Sequence, residues 1–201
     1  SYKDIISKLE KVNKSTETEQ HFVLENFLDR KIFSDVFLNL IKIYYYDYRK
    51  IKKIDQKIAN DKLGFLWPII KNDLEKSLLG SIFIKNLFHV YLFKKITKYF
   101  SRNHLCLYLY EHQAWETAMI YFLRSQGFDN IIGVSHSSVK FWELQYFNYY
   151  QDRDPQCWLL SEPNKIFYNG SGSEKLIRDT FHKRKSYSVV EALRFQYLNK
   201  Y

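Results

Sequence analysis

Leu105-Cys106-Leu107-Tyr108-Leu109-Tyr110-Glu111-His112-Gln113 and, further on, Ile131-Ile132-Gly133-Val134-Ser135-His136-Ser137-Ser138 decide how this chain reads. Each begins as an apolar run of strand length and stops abruptly in ionisable, hydroxyl or amide side chains. Between them, residues 115–126 carry apolar positions at helical spacing, and Gly127 supplies a helix stop. Strand, helix, strand at this spacing predicts a βαβ unit with parallel strands. Both polar termini then fall on one edge of the sheet, the carboxyl edge, where open α/β sheets bind ligands.

The pattern continues on the C-terminal side. A strand is predicted at Lys165–Tyr168, ending in Asn169-Gly170-Ser171-Gly172-Ser173, then a helix at Glu174–His182, with Tyr187–Val190 a further strand or the start of the final segment. Cys157–Leu160 is a shorter strand candidate, and the aromatic-rich Val139–Asp154 reads as irregular. On the N-terminal side the texture is helical. Phe22, Val23, Phe27 and Leu28, then Ile32, Phe33, Val36, Phe37 and Leu40, recur at helical spacing. The run Tyr44-Tyr45-Tyr46-Asp47-Tyr48 breaks that stripe and suggests a helix covered on several sides. Gly64 and Pro68 mark a connector, after which Asn72 or Asp73 is a candidate cap for a helix running towards Phe100. The expected architecture is α/β: a helical region over 1–103, packed on a Rossmann-like parallel sheet with flanking helices over 104–201.

Composition sets the outer bounds. Of 201 residues, 46% are hydrophobic and 18% aromatic, enough for a real core and unlike a disordered chain. The formal net charge is +9 and the pI about 9.3, a balance that suits an anionic partner. Local clusters stand at Lys50/Lys52/Lys53, Lys94/Lys95/Lys98 and Lys183/Arg184/Lys185; charge runs of this kind are more often solvated faces than binding sites. Cys106 and Cys157 lie far apart with no metal-type spacing, and the six histidines show no paired-ligand motif, so no metal or cofactor is implied. Nucleic-acid motifs are also missing, which leaves the charge without a specific reader. No leader-like start is present and no apolar run reaches the roughly 18–20 residues of a membrane span. The chain starts without Met and stops at Tyr201 inside an amphipathic pattern, so it reads as a fragment of a longer protein.

Three constellations carry candidate chemistry. In the first, Glu111 ends an apolar strand, where partial desolvation suits a carboxylate to general-base work. Glu116 sits in the first turn of the next helix, a place the helix dipole favours for an acid whatever its function. His112 and Gln113 lie beside them, and Trp115 suits packing better than ligand stacking. In the second, Gly133 permits close backbone approach, while Ser135, His136, Ser137 and Ser138 supply donors for a phosphate, carboxylate or sugar. In the third, Asn169 and Gly170 open a Gly- and Ser-rich turn before a helix. Its backbone amides could hold an anion, or Ser171 or Ser173 could simply cap the helix.

Taken in order, Asp73-x-x-x-Ser77-Leu78-x-Gly80, Tyr108-x-x-Glu111-x-Gln113-x-Trp115-Glu116 and Ile131-Ile132-Gly133-x-x-His136-Ser137 form a series. With Pro163-x-x-Ile166-x-x-Asn169-Gly170 and Val190-Glu191-Ala192-Leu193-Arg194, it resembles a family of bacterial surface-carbohydrate (capsule and lipopolysaccharide) biosynthesis proteins of glycosyltransferase type. The resemblance spans about residues 66–198, and its motifs are specific as a set and weak singly.

The resemblance implies the N-terminal, acceptor-side half of a GT-B-like enzyme. The donor, a nucleotide-sugar with a CMP-linked acidic sugar as one form, would bind a C-terminal domain beyond Tyr201, so the fragment alone would be inactive. Glu111, Glu116 and His136 are then the catalytic candidates. His112, Gln113, Gly133, Ser135, Ser137, Ser138, Asn169 and Gly170 are the substrate-binding ones. The acceptor would be a glycan or a lipid-linked saccharide, and the enzyme cytoplasmic, held by its basic surface near an anionic inner membrane. The competing expectation is a non-catalytic scaffold that binds a glycan or a protein.

Overall fold

The computed structural model describes residues 2–15, 19–47, 64–135, 162–180 and 186–190. The chain divides into two compact units, Ser1–Ile96 and Thr97–Tyr201.

The first unit is helical. Its helices are α1 (Tyr2–Ser15), α2 (Arg30–Lys42), α3 (Trp67–Leu79) and α4 (Ser81–Ile96). Residues Phe22–Leu28, with their helical apolar spacing, do not form a helix. They run as extended chain around a single 3-10 turn, Leu24–Phe27, whose apolar side chains pack onto the Ile32, Val36 and Leu92 core. Asp29 then starts α2: one carboxylate oxygen accepts from the Ile32 amide at 2.8 Å and the other from Lys95 Nζ at 2.8 Å. Lys95 also donates to the Phe27 carbonyl at 2.9 Å, so one lysine of α4 fixes both the turn and the cap of α2. Beyond α2 the described part of the tyrosine run lies in a short π-helical turn, Ile43–Asp47, and Tyr48 is outside the described residues. Tyr44 and Tyr45 are exposed there, not covered as their sequence context suggested.

Two further sequence expectations are corrected in this unit. The helix placed after Asn72 or Asp73 begins at Trp67, because Pro68 fits a first helical turn, where its missing N–H costs nothing. It also does not run through to Phe100. Gly80 breaks it in an extended conformation, and a Cβ at that position would strike the carbonyl of Lys76.

The second unit is α/β. Strands β1 (Cys106–Tyr110), β2 (Ile131–Ser135), β3 (Lys165–Asn169) and β4 (Ser186–Val190) form a parallel sheet in the order β1-β2-β3-β4. Helix α5 (Ala114–Ser125) joins β1 to β2, and α6 (Gly170–Thr180) joins β3 to β4. The strands expected at 105–110, 131–134, 165–168 and 187–190 stand within a residue of these bounds, while the strand candidate Cys157–Leu160 and the stretch Val139–Asp154 lie outside the described residues. The helix expected from Glu174 starts four residues earlier, at Gly170, so Asn169–Ser173 is no open loop.

Alternation along each strand separates two faces. Tyr108, Gly133, Ile166 and Tyr187 form one cross-strand row on the inner face. Ile120 and Leu123 of α5 and Leu176 of α6 cover that face, and Ile131, where β2 enters it, is fully buried. The outer row is Leu109, Val134, Phe167 and Ser188, and the leucines of β1 on this side, Leu107 and Leu109, are exposed. Cys106 is a free, half-buried thiol whose pKa burial pushes up.

At the amino edge the strand starts are tied by backbone and amide pairs. Asn164 exchanges two hydrogen bonds with Ile131, and Cys106 N–H donates to the Asn130 carbonyl. Arg124 reaches from α5 with two donors to the Glu162 carbonyl, at 3.2 and 2.6 Å.

Candidate functional site at the carboxyl edge of the sheet

The register aligns Tyr110 with Ser135, so β1 and β2 end level. The polar residues after β1 and those closing β2 and β3 therefore share one edge, together with the N-termini of α5 and α6. The two helix starts add partial positive charge to that edge.

The turn from β1 into α5 is built around Glu116. Its side chain points back over its own helix start, and one carboxylate oxygen accepts from the Gln113 amide at 2.9 Å and the Glu111 amide at 3.0 Å. This is the returning half of a capping box, and it satisfies amides that the first turn of a helix leaves without partners. Glu116 is only 2% exposed. Burial, with the Glu111 charge adding to it, raises its pKa, and the amide hydrogen bonds pull the other way. Its second oxygen is buried with no hydrogen-bond partner among the described residues.

His112 lies between the two held amides. Its φ of 57° puts it in the left-handed region, which a residue other than glycine seldom adopts. The half-buried ring rests on Tyr110, with centroids 4.3 Å apart. Glu111 is half-buried and Gln113 is exposed. The clamp thus holds Glu111 and His112 at the sheet edge through their backbone. Trp115 packs against the inner core.

Gly133 and Ser135 lie on β2. A Cβ at Gly133 would come within 3.1 Å of the Tyr108 hydroxyl and 3.1 Å of Tyr110 Cβ. The group that approaches this glycine closely is the Tyr108 ring, which crosses from the neighbouring strand. Tyr108 is buried, and its hydroxyl has no hydrogen-bond partner among the described residues. Burial first, and the nearby Glu116 charge second, push its pKa far above the usual tyrosine range. Sequence reasoning gave Tyr108 no role, since only the register reveals that it lies over Gly133.

Asn169 joins two strand ends: its side-chain amide donates to the Ser135 carbonyl at 2.8 Å. Its own carbonyl accepts from the buried Ser173 hydroxyl at 2.9 Å, a bond across the first turn of α6. Ser173 is therefore bound back to the strand end and does not cap a helix starting at Glu174. Gly170, at φ 78°, makes the sharp turn from β3 directly into α6, and the space around its α-carbon is open. His136, Ser137 and Ser138 lie outside the described residues.

The structure thus brings Glu111, His112, Gln113, Glu116, Ser135, Asn169 and Gly170 to one edge and leaves Gly133 within the sheet. Among the described residues no group of three or more His, Cys, Asp or Glu side chains is arranged to hold a metal ion. No helix among them is long and apolar enough to cross a membrane. Compared with known protein families, curated proteins and solved structures, the chain finds no match in any of the three.

Proposed function

We propose that the sheet unit is the acceptor-side part of a GT-B-like glycosyltransferase of surface-polysaccharide assembly, taking a nucleotide-sugar donor and a glycan or lipid-linked acceptor. The observation that supports this reading best is the buried Glu116 clamp, which presents Glu111 and His112 at the carboxyl edge of a parallel sheet. In the proposed reaction Glu111 takes the proton of an acceptor hydroxyl as its oxygen attacks the anomeric carbon. The bond to the nucleotide phosphate breaks, and the electron pair leaves with the phosphate. Glu116 acts as a positioning residue, and His112 and Gln113 hydrogen-bond the acceptor. His136, Ser137 and Ser138 join the site on the strength of their sequence motif, and the donor could be a CMP-linked acidic sugar.

The test is nucleotide release and sugar transfer by the full protein on a panel of CMP-, UDP- and GDP-sugars. Glu111→Gln is expected to lower kcat by about 100-fold or more with the fold intact, the usual worth of a general base. Turnover at the wild-type rate from that variant removes Glu111 from the chemistry.

A second reading, a non-catalytic scaffold, is favoured by the exposed Leu105, Leu107 and Leu109. It predicts no turnover on any donor, with glycan or protein binding that is insensitive to Glu111→Gln.

A further inference from the structure

We infer that helix α2 is a docking surface for an anionic lipid bilayer. Ile32 and Val36 turn its buried side towards Leu92 of α4. The rest of the helix should then be polar, as on an ordinary surface helix. It is not: Phe33, Phe37, Leu38, Ile41, Tyr44 and Tyr45 are all exposed, Phe37 by 63% and Leu38 by 62%. Phe33, Phe37, Ile41 and Tyr45 follow one another at four-residue steps, so they form a continuous ridge along α2 and its π-helical extension. Phe33 is steadied edge-on by Phe88 of α4, with centroids 5.2 Å apart.

The charges around the ridge select its occupant. Arg30, Lys31 and Lys42 are exposed on the same helix. Its acid, Asp35, is half-buried and acts on Tyr91, on the side facing α4. The whole helical unit carries 18 Lys and Arg against 12 Asp and Glu, a net charge of +6.

A second copy of the chain fits poorly, because a two-fold contact through this ridge would set the same cations against each other with no exposed acid of α2 to pair them. A nucleic-acid backbone would answer the cations and leave the aromatic ridge in water. A bilayer with anionic headgroups answers both, since aromatic and aliphatic side chains enter the interface while flanking cations meet the headgroups. This surface uses no residue of the sheet-edge site, so the inference stands or falls independently of the transferase reading.

The test is co-sedimentation of the protein with vesicles of phosphatidylcholine, with and without about one third phosphatidylglycerol. Binding is expected to the anionic vesicles and to weaken with salt. Phe37→Ser with Ile41→Ser should cut partitioning about tenfold or more, by removing buried apolar area. Lys31→Gln with Lys42→Gln should cut it about 30-fold on anionic vesicles and leave neutral ones unaffected. All four side chains are exposed, and circular dichroism checks that the helices persist. The inference is overturned by no binding to anionic vesicles, by equal binding to neutral ones, or by variants that bind like wild type. It is equally overturned if Phe37→Ser with Ile41→Ser dissolves a dimer in sedimentation velocity while vesicle binding is unchanged.

Discussion

Glu116 does at residue scale what neither neighbour could do alone: it completes two backbone amides while losing its own solvation. Glu116→Ala should therefore cost about 2 kcal/mol, as the Glu111 and Gln113 amides lose their acceptor. Denaturant titration measures this. Glu116→Gln keeps a carbonyl acceptor and removes the charge, so it isolates the pH dependence. Because the folded pKa of Glu116 is raised, the folded chain holds a proton that the unfolded chain has already released. The stability gained from that proton is fully present below the ordinary glutamate range and is lost as pH rises through the elevated value. Wild type should thus lose stability relative to Glu116→Gln as pH rises above the ordinary glutamate range, and a wild type that gains stability on Glu116→Gln over that rise would contradict the assignment. Tyr108 makes the complementary case. Its hydroxyl is buried without a partner among the described residues, so Tyr108→Phe should stabilise the protein by about 1 kcal/mol in the same assay.

At the scale of elements, Gly133 is a packing device of β2. Gly133→Ala should lower stability by about 1–2 kcal/mol, because Tyr110 Cβ belongs to the paired strand and cannot swing away. The Tyr108 hydroxyl is an equally close neighbour, so Gly133→Ala and Tyr108→Phe should be non-additive by about 0.5 kcal/mol or more in a double-mutant cycle. The strands and α5 were legible in the sequence because each apolar run ends in unmistakable stop chemistry, Glu111-His112-Gln113 after β1 and Gly127 after α5. The start of α6 was not legible. Glycine-rich sequence reads as a loop, but here Gly170 spends its conformational freedom on one turn and the helix follows at once. Phe22–Leu28 misled for the opposite reason, since its apolar spacing is met by a 3-10 turn held through Lys95. At the site, the sequence pointed to Glu111 and Glu116, and helix-dipole logic gave Glu116 a structural excuse. That its carboxylate reaches back to two amides, and that Tyr108 fills the space over Gly133, depends on register and on the turn at His112.

For the molecule as a whole, the sheet has one face covered by α5 and α6 and an outer face that keeps the β1 leucines exposed. Substitutions should respect that division. Ile131→Ala should cost about 3–4 kcal/mol by thermal or chemical unfolding, as for a fully buried side chain. Leu109→Ser should stay within about 0.5 kcal/mol; a large loss there would mean that the outer face is covered in solution. The strand order has one more consequence. Among the described residues every strand pairs with a neighbour that is also the next strand in the chain, so none of these pairings waits for a strand made much later. During synthesis from the N-terminus, β1, α5 and β2 can close on one another before β3 exists, and β3 and β4 then extend a sheet already begun. The Glu111–Gln113 turn is part of that first closed unit, so the candidate site has its framework before the rest of the sheet is made.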